Sequence, residues 1–136
     1  MSRKLKHVGI AVSDLNESVA LFGKLFQTKP AHTEIVKDQM VRVTFLPLDG
    51  TSVELLEPTS PESPITKFLD KRGEGIHHLS FEVIDLEAEL ARLKSEGFQL
   101  IDEKPRRGAE GLLVAFIHPK STNGVLVELC QRKNET

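Results

Sequence analysis

The sequence predicts an α+β fold built from two tandem βαβββ modules, and two observations carry the prediction. The first is an internal repeat. His7-Val-Gly-Ile-Ala-Val-Ser-Asp14-Leu15 returns as His78-Leu-Ser-Phe-Glu-Val-Ile-Asp85-Leu86, and His7 to His78, Asp14 to Asp85 and Leu15 to Leu86 are each 71 residues apart. The second is that both halves close alike. SVELLEP carries Glu54, 47 residues after His7, and LVELCQ carries Glu128, 50 residues after His78. Matching order with near-matching spacing argues for a duplicated unit, and such a repeat fixes the architecture before any local assignment. The chain of 136 residues fits one domain made of two repeats, about 5–57 and 75–131, joined by a linker over 58–74.

Each element has its own signal. Leu5–Val12 alternates apolar and polar residues, the period of a strand. Asp14 is a good helix N-cap, with Glu17 three residues on to complete a capping box. The helix runs to about Phe26, with Val19, Phe22 and Phe26 as its apolar stripe. Strands follow near Ala31–Val36, Val41–Leu48 and Ser52–Leu56, the last two joined by the hairpin signal Asp49-Gly50. The linker is rich in Pro and Ser and then gives a short helix from Pro64. In the second half Asp85 caps a helix ending near Glu96, with Gly97 where a left-handed C-cap is wanted. Strands are expected near Phe98–Asp102, Leu112–His118 and Val125–Cys130.

Side chains alternate across a strand, so parity assigns faces. Val8, Ile10 and Val12 share the face that packs under the helix, and His7 lies on the other. Leu79, Phe81 and Val83 take the core face with His77, while His78 takes the opposite one. Val53 and Leu55, and likewise Val125, Val127 and Leu129, face the core; Glu54 and Glu128 face away. Four polar residues thus project from the face opposite the helices, and a sheet curled around that face would gather them. Imidazole suits Zn, Co, Ni or Fe and carboxylate suits Mg or Mn, so a His2Glu2 set completed by water fits a divalent first-row ion. A closed structural zinc site would prefer Cys and His.

Bulk composition excludes other classes. Charged residues are 28% and hydrophobic residues 39%, an ordinary globular balance. Apolar runs are a handful of residues, so no bilayer span is expected, and MSRKLKHVGIAV lacks the features of a signal peptide. A net charge of −2 and the absence of Trp and Tyr argue against nucleic acid. The single Cys130 forms no intrachain disulfide and suits a reducing cytoplasm. It reads as a small buried residue, since no activating base is positioned for it. Lys104, Arg106 and Arg107 in EKPRRGAEG, and Lys120 in HPKS, are either solvated charges or contacts to a substrate's phosphates or carboxylate.

ELLEP, SPITKFLDKRGEGIHHLSFEV, HPKS and GVLVEL resemble the methylmalonyl-CoA epimerase family of the vicinal oxygen chelate superfamily, over about Leu5 to Gln131. The resemblance implies paired βαβββ modules forming a curled mixed sheet, a metal-binding cup with helices outside. It implies metal-dependent epimerisation of (2R)- and (2S)-methylmalonyl-CoA through a metal-stabilised enolate. His7, Glu54, His78 and Glu128 match the metal ligands, with Co²⁺ suggested and Mn²⁺, Ni²⁺, Zn²⁺ or Mg²⁺ open. Glu128 is expected to act as acid or base. Some epimerases carry a second Glu on the strand that here reads Gln39-Met-Val-Arg-Val-Thr-Phe45, which has no carboxylate. Glu54 is therefore the candidate for the second acid/base, Gln being frequent at its position in the family. A homodimer acting on a small acyl-CoA is expected, without nucleic acid or membrane. The alternative is glyoxalase I, acting on a glutathione hemithioacetal with the same donor set. A ring-cleaving dioxygenase would use two His and one Glu, and drug-sequestering relatives often lack the quartet.

Overall fold

The computed structural model describes residues 3–132, which gather into two compact units. One spans His7–His77; the other runs from His78 onward and includes the N-terminal residues up to Lys6. In the first, β1 (Lys4–Ala11) leads through α1 (Leu15–Phe26) to β2 (His32–Val36), β3 (Val41–Leu48) and β4 (Thr51–Pro58). Neighbours run β2-β3-β4-β1, with β2–β3 and β3–β4 antiparallel and β4–β1 parallel. In the second, β5 (Gly75–Glu82) and α3 (Leu86–Ser95) precede β6 (Arg106–Arg107), β7 (Leu113–Ile117) and β8 (Val127–Gln131). The order is β5-β8-β7-β6, again with the first and last strands of the module parallel. A parallel pair needs a long crossover between its strands, and the helix and hairpin of each module supply it. The repeat is exact in its first strand: β1 and β5 are both eight residues long, beginning at Lys4 and Gly75.

The caps follow from chemistry local to the chain. Asp14 Oδ1 accepts from the Glu17 N–H at 3.0 Å and Asp85 Oδ1 from the Ala88 N–H at 3.1 Å. Each satisfies one of the donors that a helix start leaves open. Asp49-Gly50 is a two-residue turn, since Leu48 pairs with Thr51, and Gly50 takes a φ of +80°. The linker helix α2 (Pro64–Arg72) has Pro at its first position and the Ser63 hydroxyl accepting from the Ile65 N–H. His77 takes the side expected of it, its ring meeting Phe68 of α2 edge-on at 5.0 Å.

Each unit has its own apolar core under its helix. Val12, Leu15, Leu46, Val53 and Leu55 form the first, with Val19, Phe22 and Phe26 packed on it. Val83, Leu86, Leu90, Ala115, Ile117 and Leu129 are central to the second. Full burial of one such side chain contributes roughly 1.5–3 kcal/mol. The opposite sheet face is buried as well: on β1, His7, Gly9 and Ala11 are buried while Val8 and Ile10 are only partly so.

Two expected features differ. Phe98–Asp102 is not a strand; it makes one bridge, Leu100 to Ile117. The Asp102 carboxylate accepts the Phe116 N–H at 2.9 Å, so a side chain takes the bond that a strand backbone would make. The module's remaining strand is the short β6 instead. Val125 does not face the core but is 42% exposed, because a turn with Asn123 at φ +56° and Gly124 at +87° delays β8 to Val127. Among the described residues no helix is long and apolar enough to cross a membrane.

Candidate metal centre

The parallel pairing inside each unit places one histidine and one carboxylate on the same strand pair. In the first unit Gly9 of β1 stands beside Glu54 of β4. His7 Nε2 and Glu54 Oε1 come within 3.2 Å, with both side chains almost wholly buried. Across β3–β4, Phe45 pairs with Glu54, so the two share a face. Its ring meets the His7 ring edge-on, centroids 5.8 Å apart.

The second unit repeats the arrangement. Ser80 stands beside Glu128 in the parallel β5–β8 pair, the register of Gly9 and Glu54 carried over by the repeat. Phe116 pairs with Glu128, and the His78 ring meets Phe116 edge-on at 5.8 Å. His78 and Glu128 are buried to the same degree as their counterparts. Each unit thus holds a buried His–Phe–Glu set. Burying a carboxylate is costly unless it is paired or coordinates a metal, and two imidazoles with two carboxylates suit a divalent first-row ion. The buried imidazole and carboxylate of each unit are donor types that a divalent first-row ion takes.

Residues 6–116 match the Glyoxalase/Bleomycin resistance protein/Dioxygenase superfamily. The ethylmalonyl-CoA/methylmalonyl-CoA epimerase of Cereibacter sphaeroides is 41% identical over 133 residues, 96% of this chain and 99% of that protein. The methylmalonyl-CoA epimerase structure from Mycobacterium tuberculosis superposes with a TM-score of 0.92 at 41% identity, over 96% of this chain and 89% of that one. A methylmalonyl-CoA epimerase in complex with methylmalonyl-CoA and NH4+ superposes at 0.91 with 36% identity, over 97% and 96% of the two chains. The chain belongs to the methylmalonyl-CoA epimerase family. Membership makes it an enzyme of the racemase and epimerase class, and the paired-module α+β fold expected from the repeat is borne out.

The epimerase-family chain carries its candidate substrate contacts unequally. Arg106 of β6 pairs with Val114, which shares a face with Phe116, and its guanidinium lies 5.7 Å from the Phe116 ring centroid. Asp102 holds it at 3.3 Å. Arg107, of opposite parity, is exposed, as are Lys104 and Lys120. Lys104 borders a surface pocket with Pro105, Ile84 and Leu113, and Lys120 sits in the turn Pro119–Ser121.

Three side chains on these faces escaped the reading of the sequence. Phe45 and Phe116 are 71 apart like the histidines, a signal hidden because phenylalanine ordinarily reads as core. His32 of the edge strand β2 pairs with Phe45, stacks on its ring at 5.5 Å and approaches Glu34 Oε1 at 3.0 Å. Cys130 is buried as expected. Burial first, then Glu128 and Glu82, push its thiol up to about 11, against the Ser80 hydroxyl that donates to Sγ at 3.5 Å.

Proposed function

We propose that this chain interconverts (2R)- and (2S)-methylmalonyl-CoA, with both repeats acting as one catalytic domain. The observation that carries the reading is the buried His–carboxylate set built twice in matching register, in a chain of this family. His7, Glu54, His78 and Glu128 would hold one divalent ion, Co²⁺ by preference, with Mn²⁺, Ni²⁺, Zn²⁺ or Mg²⁺ as alternatives. When bound, the ion supplies Lewis acidity to the thioester oxygen, worth several kcal/mol of developing charge.

The protein's own groups do the rest. The C2 proton lies between two carbonyl carbons, so its C–H bond breaks with the electron pair spreading into the thioester. Glu128 takes that proton on one face as general base. Glu54 gives a proton to C2 from the other face, and the two exchange roles for the reverse reaction. Phe45 and Phe116, beside the carboxylates, keep water from competing for the carbanion. Arg106 offers its guanidinium to the substrate's free carboxylate or to a CoA phosphate, with Arg107, Lys104 and Lys120 as outer contacts. The working form is a cytoplasmic homodimer, a compartment that suits a single buried thiol.

Proton exchange at C2 in D2O, followed by NMR with chelator-stripped and Co²⁺-restored protein, tests the reading. Exchange with inversion that requires metal is expected; no exchange in either state would sink it. Glu54→Gln should abolish inversion, and near-normal turnover with metal retained would remove Glu54 from proton transfer. Turnover of a glutathione hemithioacetal instead would favour glyoxalase chemistry, to whose pattern Glu54 is nearer, whereas SPITKFL…GEGIHH favours the epimerase.

A further inference from the structure

We propose that Glu57 and Gln131 are positioning residues that hold each carboxylate strand in register with its histidine strand; the inference rests on the metal reading above. They stand three residues beyond Glu54 and Glu128. The Leu15 N–H donates to Glu57 Oε2 at 2.9 Å, and the Leu86 N–H donates to Gln131 Oε1 at 2.6 Å. Leu15 and Leu86 open α1 and α3. One contact has therefore been built twice, at equivalent places, from side chains of different charge.

Its consequence lies in what it closes. From β1 the chain passes through Asp14 into α1, and Glu57 ties the first amide of α1 back to β4. In the other unit β5, Asp85, α3, Gln131 and β8 close the same ring. Within the rings, the Val12 N–H donates to the Leu56 carbonyl at 2.9 Å and the Val83 N–H to the Cys130 carbonyl at 2.8 Å. A parallel ladder alone tolerates a two-residue slip, which keeps every side chain on its face. Such a slip would carry Glu54 roughly 6.6 Å along β4 away from His7, at about 3.3 Å per residue. The side-chain tie to a helix start lies outside the ladder and forbids it. Glu57 also meets Arg42 Nη2 at 3.1 Å, a pair with no counterpart at the neutral Gln131. The element common to both halves is thus an acceptor oxygen of the right reach, not a charge.

The test titrates chelator-stripped full-length protein with Co²⁺, reading the visible absorption of the bound ion. It also records the imidazole ¹H–¹⁵N signals of the metal-free protein. Glu57→Ala and Gln131→Ala should each weaken Co²⁺ binding, because each removes the tie that holds a ligand strand in register. Glu57→Gln and Gln131→Glu should bind as wild type. Without metal, Glu57→Ala should move the ring signals of His7, and Gln131→Ala those of His78. Glu57→Asp, which keeps the charge and shortens the reach, gives the same His7 shift should the alanine variant fail to fold. Alanine variants that melt earlier yet keep wild-type Co²⁺ binding and ring signals would overturn the proposal, leaving only helix caps. So would Glu57→Gln behaving like Glu57→Ala, which would transfer the role to the Arg42 pair. A wild-type chain that takes up no Co²⁺ defeats the metal reading, and the ring signals then decide the positioning role by themselves.

Discussion

Chemical labelling of Cys130 measures how dry the inner face of the second unit is. The thiol is fully buried and its pKa stands at about 11 against an ordinary 9.0. At pH 8 an ordinary thiol of pKa 9 is roughly one part in ten thiolate, and one of pKa 11 roughly one part in a thousand. The thiolate is the reactive species, so ionisation alone slows modification by about a hundredfold, and steric closure adds to that. The assay is the rate of reaction with a chromogenic aromatic disulfide, native against unfolded in guanidinium at the same pH. A native rate within a few-fold of the unfolded rate would refute the burial argument. The same shift has a stability consequence. A folded pKa above the unfolded one favours the neutral thiol, so its contribution is complete below pH 9 and is lost as pH rises toward 11. Urea midpoints at pH 8 and pH 10.5 should therefore diverge more for wild type than for Cys130→Ala, and parallel declines would contradict it.

Other perturbations separate substrate contacts from scaffold. Arg106→Ala should raise the KM for the acyl-CoA about tenfold, the worth of one charged hydrogen bond, and should flatten its salt dependence; an unchanged KM would leave Arg106 as a partner of Asp102 alone. Leu55→Ala, at a fully buried side chain, should cost 2–5 kcal/mol of unfolding free energy, read from urea titration. Gly50→Ala should cost about 1–2 kcal/mol, since φ is +80° and nothing lies within 4 Å of the added Cβ; a larger loss would point to a clash absent from this turn.

What the sequence made legible was whatever depends on spacing within one segment. The caps at Asp14 and Asp85, the turn at Asp49-Gly50 and the opposite parities of His77 and His78 are of that kind. Strand parity also put His7 and Glu54 on one face, while the 3.2 Å between them comes from the parallel β1–β4 register, which parity does not give. Features fixed by partners distant in sequence were not legible. Phe98–Asp102 has strand-like composition, yet Asp102 spends its carboxylate on the Phe116 amide and the segment stays irregular. Val125 belongs to an apolar run whose start is set by the backbone of Asn123 and Gly124. Phe45 and Phe116 carried the repeat offset, but only the antiparallel register shows that they pair with Glu54 and Glu128.

The differences between the halves carry as much meaning as their likeness. Epimerisation is thermodynamically near-symmetric, so two chemically similar carboxylates suit it, and a duplicated module supplies them in similar aromatic surroundings. The substrate is not symmetric: one end is a free carboxylate and the other a long phosphorylated carrier. Recognition must therefore come from positions where the repeat is broken. The edge strands β2 and β6 are broken in this way. Above Phe45 stands His32 beside Glu34, while above Phe116 stands Arg106 beside Asp102. On the proposed reading, the guanidinium beside one ring and the imidazole beside its counterpart would give the two ends of the substrate different partners. Exchanging them should therefore disturb KM well before it disturbs C2 proton exchange, because the carboxylates beneath are left as they were.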